Sequence, residues 1–214
     1  MTRCLIVSGG YPAHRPVEAG AIIATMLAKE GFDVASRSTL DAYDDEDLQS
    51  FDLIVPNWTV GEIAVETAKR IAEAVASGVG LGGFHGGMAD GFPASARFRY
   101  MVGGSYVAEP GGIGRYRVEV TRPDDDIMRG IAAFDYHSEQ YYLHVDPAVE
   151  VLAVTRFNGA AHAWIDGVEM PTVWKKRYGE GKIFFSALGH VPEEFENPSM
   201  REIVRRGLLW ASRR

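Results

Sequence analysis

Four short apolar runs, with helix-forming segments between them, restrict this chain more than anything else in it. They are Cys4-Leu5-Ile6-Val7-Ser8, Phe32 to Ser38, Phe51-Asp52-Leu53-Ile54-Val55-Pro56 and the stretch from Val79 to Phe84. Apolar residues in near-continuous runs suit parallel strands covered on both faces. Between the first two, Val17 to Glu30 sets Ile22 one turn before Met26 and Ile23 one turn before Leu27, and Gly31 supplies the stop. From Glu62 to Ala76, Ala64, Ala68, Ile71 and Val75 keep a helical period, Glu66 pairs with Arg70 at i,i+4, and Ser77-Gly78 closes the helix. The acidic segment Asp41 to Asp47 reads as a solvated loop or a helix start, without the alternating ligands of a calcium loop. The first ninety residues thus follow β-α-β-α-β-α-β order, which predicts an α/β fold with a doubly wound, mostly parallel sheet and right-handed crossovers.

After Asp90 the pattern changes. Pro93 to Met101 fits a short helix, Gly103-Gly104 and Pro110-Gly111-Gly112 punctuate loops, and Tyr116 to Val120 alternates as a half-exposed strand does. Asp135 to Tyr142 is dense in polar and aromatic groups, and Val149 to Arg156 is another strand. Thr172 to Tyr178 and Lys182 to Ala187 flank Gly179-Glu180-Gly181, the signature of an antiparallel hairpin extension. Asn197 as N-cap and Pro198 at the first helical position start a terminal helix striped by Met200, Ile203, Val204, Gly207, Leu208 and Ala211. No linker or repeat divides the chain, so a single domain over residues 1–214 is expected.

A net charge of −7 without a Lys/Arg stripe argues against nucleic acid as partner. No run reaches the roughly 20 apolar residues of a membrane span, and Met1-Thr2-Arg3 passes straight into a strand, so a cytoplasmic protein without membrane partners is expected. The single Cys4 lies inside the first apolar run and permits no disulfide framework. Gly78, Gly80 and Gly83 match G-x-G-x-x-G, but the match starts at a helix end and runs through a strand, the reverse of a dinucleotide fingerprint.

Chemistry concentrates at the ends of strands. Gly83-Phe84-His85-Gly86-Gly87 has the layout of a nucleophile elbow with histidine at its apex. Histidine there serves better as acid, base or metal ligand than as a stable nucleophile. His190, with Glu193 and Glu194 after it, follows the last strand, and His137 with Glu139 lies in the polar-aromatic segment. His85, His190, Glu139 and Glu193 are the expected catalytic groups, with Glu193 orienting His190. His85, His190 and Glu139 could instead hold an open divalent-metal site, zinc being the natural ion, although no H-E-x-x-H or H-x-x-E-H spacing supports it locally. Gly10, Tyr11, Asn57, Trp58, Gly86, Gly87, Asp90 and Tyr141 fall on the same strand ends and are the expected substrate contacts. His14 and His162 read as ordinary loop histidines, and His144 as structural. Tyr136, Tyr141, Tyr142, Trp58 and Trp164 could stack on the apolar face of a sugar ring.

The chain resembles the ThuA-like, trehalose-utilisation family, a branch of the class I glutamine amidotransferase-like, flavodoxin-like fold. The resemblance rests on Gly82-Gly83-Phe84-His85-Gly86-Gly87, Glu139-Gln140-Tyr141-Tyr142, Pro171-Thr172-Val173-Trp174, the run from Tyr178 to His190, and Leu208-Leu209-Trp210-Ala211. His85 falls where glutamine amidotransferases carry the cysteine of their G-x-C-x-G turn, and His190 with Glu193 where they carry the triad His and Glu. Loss of that cysteine argues against thiolate chemistry and glutamine hydrolysis. The resemblance implies catabolism of a trehalose-like disaccharide or keto-glycoside, a sugar dehydrogenase in the same pathway, and a homo-oligomer. The competing readings are a non-catalytic carbohydrate- or small-molecule-binding module, and a subunit that acts only within an oligomer.

Overall fold

Strand β1 (Thr2–Gly10) shows how the sequence builds the sheet: Cys4 and Ile6 point to one face and Leu5 and Val7 to the other, and all four are buried. The computed structural model describes residues 2–213. After β1 come α1 (Pro16–Lys29), β2 (Phe32–Arg37), the one-turn α2 (Ala42–Asp45), β3 (Leu53–Thr59), α3 (Val65–Ala76) and β4 (Gly80–Phe84). Helix α3 starts three residues later than its periodicity predicts, because Ala64 is extended at ψ 155°. The chain continues through α4 (Gly86–Ala89), α5 (Ala96–Val102), β5 (Gly104–Ala108), β6 (Ile113–Val120), β7 (Phe134–Glu139), β8 (Tyr142–Val145), β9 (Glu150–Arg156), β10 (Glu169–Tyr178), β11 (Gly181–Ser186) and α6 (Pro198–Ala211).

The main sheet runs in the order β2-β1-β3-β4-β11-β10-β9-β6-β7. Strands β2, β1, β3, β4 and β11 pair in parallel. From β11 the sheet turns antiparallel through β10, β9, β6 and β7, a larger mixed portion than one hairpin. Strands β5 and β8 form a separate two-stranded sheet. Helices α1 and α6 cover one face through Ile23, Leu27, Met200, Ile203 and Leu208. Ile71 and Val75 of α3, with Phe98 and Met101 of α5, cover the other.

Strand order reverses between β1 and β3, and in open α/β sheets ligands bind outside the carboxyl ends at such a switch. The loops there are tied together: Tyr11 donates its N–H to the Thr59 carbonyl at 3.1 Å, and Val60 donates to that of Asp90 at 2.8 Å. Gly10, at φ 82°, lets the chain turn against Thr59, whose carbonyl oxygen lies 2.0 Å from where a Cβ would stand. No helix among the described residues is long and apolar enough to cross a membrane.

Candidate active site

Phe84 ends β4 inside the core, and the next residue breaks the strand: His85 sits at φ 48° and ψ −145°. Conformations of this kind cost about 1–3 kcal/mol and survive only where the surroundings enforce them. Here the His85 N–H donates to the Ser186 carbonyl at 2.7 Å, and its own carbonyl accepts from Ala89 at 3.1 Å. Among the described residues, the non-glycine positions at positive φ are Arg15, Val60 and His85. All three belong to the loops around this point.

Four side chains meet above the elbow. One ligand atom each from His14, His85, Glu139 and His190 lies within 4.8 Å of the others. Ring centroids are 4.9 Å apart for His14–His85, 5.0 Å for His14–His190 and 5.1 Å for His85–His190. Glu139, at the end of β7, brings Oε2 to 3.2 Å from His85 Nε2 and Oε1 to 3.6 Å from His190 Nε2. Thr59 holds His14 through Oγ1, 3.0 Å from Nδ1.

His85 is buried and its tautomer follows from its partners. Nδ1 lies 3.0 Å from the Ala187 carbonyl, which can only accept, so Nδ1 carries the hydrogen. Nε2, the ring's other nitrogen, points into the cluster and lies 2.7 Å from the Tyr141 hydroxyl. Glu139 Oε2, 3.2 Å from that nitrogen, is drawn to it when Nε2 carries a cation, a proton or a metal.

Electrostatics favour ligation. Burial, and then the neighbouring His85 and His190, push His14 down to about 4. Burial and His85 also lower His190. The contact with His85 holds Glu139 below the usual carboxylate range in spite of burial. Neutral imidazoles beside an ionised carboxylate are the protonation states that a metal site needs. Above the cluster lies a cavity of about 240 Å³, lined by Tyr11, Thr59, Asp90, Tyr106, Glu109 and Tyr141 besides His14 and Glu139. Burial and Glu109 raise the Asp90 carboxyl.

The structure therefore brings His85, His190 and Glu139 together and sets Tyr11, Asp90 and Tyr141 around the cavity. It corrects other expectations. Glu193 does not orient His190: its carboxylate is exposed and paired with Arg15. Glu194 does that work, accepting from the backbone N–H of Gly189 at 3.1 Å and His190 at 2.9 Å, and from the Tyr136 hydroxyl at 2.6 Å. Asn57 is no substrate contact: buried, it donates to Ser8 Oγ at 3.1 Å and to the Pro16 carbonyl at 2.7 Å, clamping β1 and the start of α1. Trp58 packs over Gly9 and Gly61. Gly86 and Gly87 are buried, and serve by lacking a side chain. A Cβ on Gly86 would stand 2.9 Å from His14 Cε1, and one on Gly87 2.9 Å from Asn57 Cα. Gly10 likewise makes room for Thr59. His137 is exposed on β7, on a cleft of about 590 Å³ on the far side of His190.

His14, read from the sequence as a loop histidine, is a full member of the cluster. Its signal was its loop, which leaves the first strand beside Gly10 and Tyr11 as the other site loops leave theirs. Thr59, Tyr106 and Glu109 carried no motif.

The comparisons with known proteins agree with the fold. The family model described as trehalose utilisation, ThuA, matches residues 3–211. The chain belongs to the ThuA family. Among solved structures, a ThuA-like protein from Parabacteroides merdae superposes with a TM-score of 0.80 at 18% identity, over 98% of this chain and 89% of that one. A ThuA-like protein from Bacteroides uniformis gives 0.78 at 19% identity, over 98% of this chain and 91% of that one. A β-galactosidase from Bacillus circulans sp. alkalophilus gives 0.64 at 15% identity, over 99% of this chain but 32% of the larger enzyme. At these identities the likeness is one of fold. No curated protein sequence matches the chain.

Proposed function

We propose that this ThuA-family chain acts, as a single cytoplasmic domain, as an enzyme of sugar breakdown. In this reading His14, His85, Glu139 and His190 hold a divalent metal ion, zinc first, and the cavity above takes a neutral sugar or keto-glycoside. The observation that carries the proposal is the convergence of the four ligand atoms within 4.8 Å at the carboxyl edge of the sheet. The donor set fits the ion. Zinc bonds nitrogen and oxygen at about 2.0–2.2 Å, so ligand atoms that share one ion stand roughly 3.0–3.6 Å apart. The Glu139 oxygens already lie 3.2 and 3.6 Å from His85 and His190. The Ala187 carbonyl and Thr59 hydroxyl occupy the other ring nitrogens of His85 and His14, as outer partners of metal-bound histidines do.

A bound divalent ion would supply Lewis-acid polarisation of a sugar oxygen. The chain's own residues do the rest. Tyr11 and Tyr106 offer ring faces and hydroxyls to a pyranose, with Tyr141 forming the floor against His85, and Glu109 accepts from its hydroxyls. Asp90, raised by burial and Glu109, holds a proton for a leaving oxygen or, ionised, takes one from a carbon made acidic by an adjacent carbonyl. A keto-glycoside, made by a sugar dehydrogenase, presents both the acidic carbon and the leaving oxygen. Thiolate chemistry has no group to perform it, since the chain's single cysteine, Cys4, is buried in β1.

The test is turnover of keto-disaccharides by zinc-loaded protein, before and after chelation. Turnover that falls at least about 10²-fold on chelation, returns with zinc, and falls by a similar factor in Asp90→Asn supports the proposal. Absence of turnover of every keto- and unmodified glycoside by the loaded protein ends it.

A further inference from the structure

Trp164 is 77% exposed, the most exposed tryptophan in the chain, and it is not loose. It sits on a one-turn 3-10 segment, Ala163–Ile165, in the connection between β9 and β10. The next residue, Ile165, is buried and anchors that turn in the core. At the base of the connection Phe157 donates to the Val168 carbonyl at 3.0 Å, and Gly167 donates to that of Phe157 at 2.9 Å. Arg156 adds a bond to the Gly167 carbonyl at 2.9 Å. The His162 ring stacks on the indole with centroids 4.5 Å apart and planes 15° from parallel. The chain thus spends several bonds on presenting one large aromatic face to solvent, where burial would ordinarily be favoured.

That face opens on a cleft of about 560 Å³ whose walls include Tyr106, Val107, Glu109 and Tyr142. Tyr106 and Glu109 also line the 240 Å³ cavity over the histidine cluster, so the two spaces are neighbours. Aromatic contacts continue inward: Tyr106 meets Tyr141 edge-on at 4.8 Å, and Tyr141 stacks on His85 at 4.2 Å. Among the described residues, no lysine or arginine lines either space. An anionic arm such as a sugar phosphate would meet the carboxylates of Asp90, Glu109 and Glu139 there with no basic side chain of Lys or Arg to pair with.

We propose that Trp164, backed by His162, is a second sugar-ring subsite. It would stack the outer ring of an uncharged disaccharide or longer glycoside whose inner ring occupies the cavity over the cluster. This rests on the sugar reading of that cavity and adds the length and charge of the substrate. The inner cavity, at about 240 Å³, is the smaller of the two spaces, and Tyr106 and Glu109, shared by both, lead from it toward Trp164.

The experiment measures binding of trehalose and of glucose to zinc-loaded wild type, Trp164→Ala and Trp164→Phe, by calorimetry and by saturation transfer to the sugar ring protons. The exposed position leaves both variants folded, which thermal unfolding checks. The expected result is trehalose bound more tightly than glucose by the wild type, about tenfold weaker trehalose binding in Trp164→Ala, recovery in Trp164→Phe, and glucose unchanged throughout. Equal trehalose affinity in wild type and Trp164→Ala overturns the subsite and leaves the cavity reading standing. Binding of neither sugar by the wild type also overturns the subsite, and the turnover of keto-glycosides then decides the cavity reading by itself. A dimer that dissociates in Trp164→Ala with trehalose affinity intact would make the patch a contact between copies of this chain, which also overturns it.

Discussion

Folding moves the titration of His14 well away from that of a free imidazole. Its ordinary value of about 6.5 in the unfolded chain is pushed down to about 4 by burial and the two neighbouring histidines. Between those limits the unfolded chain binds more protons, so this residue makes metal-free stability rise with pH. The stabilisation is full above about 6.5 and is lost as pH falls toward 4. In His14→Gln the slope of unfolding free energy against pH over that window should be shallower than in the parent, measured in urea with chelator present; equal slopes would show that His14 is not buried in the neutral form. Cys4 gives a second test at this scale. It is fully buried, and burial pushes its thiol up. Iodoacetamide should leave the native protein unlabelled and modify it once guanidinium unfolds it, as mass spectrometry would read; rapid native labelling would contradict the packing of β1. His190 is less peripheral than its place after Gly189 suggests. Only 9% exposed, it is packed as well as positioned, so truncation should cost stability too.

At the level of elements, the turn after β11 hangs on one carboxylate. Glu194, in the 3-10 segment Pro192–Glu196, takes three hydrogen bonds that fix Gly189, His190 and Tyr136. Glu194→Ala should lower unfolding free energy by about 2 kcal/mol and weaken metal retention, whereas Glu193→Ala should do neither; denaturant titration of the two variants decides. A loss within about 0.5 kcal/mol, the scatter of ordinary surface substitutions, would mean the turn holds itself. The elements bearing His85 and His190 were legible because strands β1, β3, β4 and β11 are apolar on both faces and end in glycine-rich turns. Strand β5 was not legible: Gly103-Gly104 looks like loop, yet Gly104 is the close approach that lets Trp174 pack beneath the small sheet. His14 and Glu194 were missed or misassigned for one reason. Their partners, Thr59 and Tyr136, lie far away in sequence, and only the tertiary fold brings them near.

Taken whole, the molecule gathers its chemistry where the parallel half of the sheet reverses order and the antiparallel half returns a carboxylate to it. Strand β1 leads to His14, β3 to Thr59, β4 to His85 and β11 to His190, while Glu139 arrives from β7 at the opposite edge of the sheet. A site assembled from so many elements depends on the whole fold. The measurement that bears most directly on its identity as one metal centre is zinc stoichiometry and affinity in wild type and in His14→Ala, His85→Ala, Glu139→Ala and His190→Ala, by elemental analysis and competition with a chromophoric chelator. One tightly bound zinc per chain in the wild type, with affinity lowered at least about tenfold in each folded variant, is the result predicted here. A wild type that binds no zinc, or variants that all retain it unchanged, would contradict it.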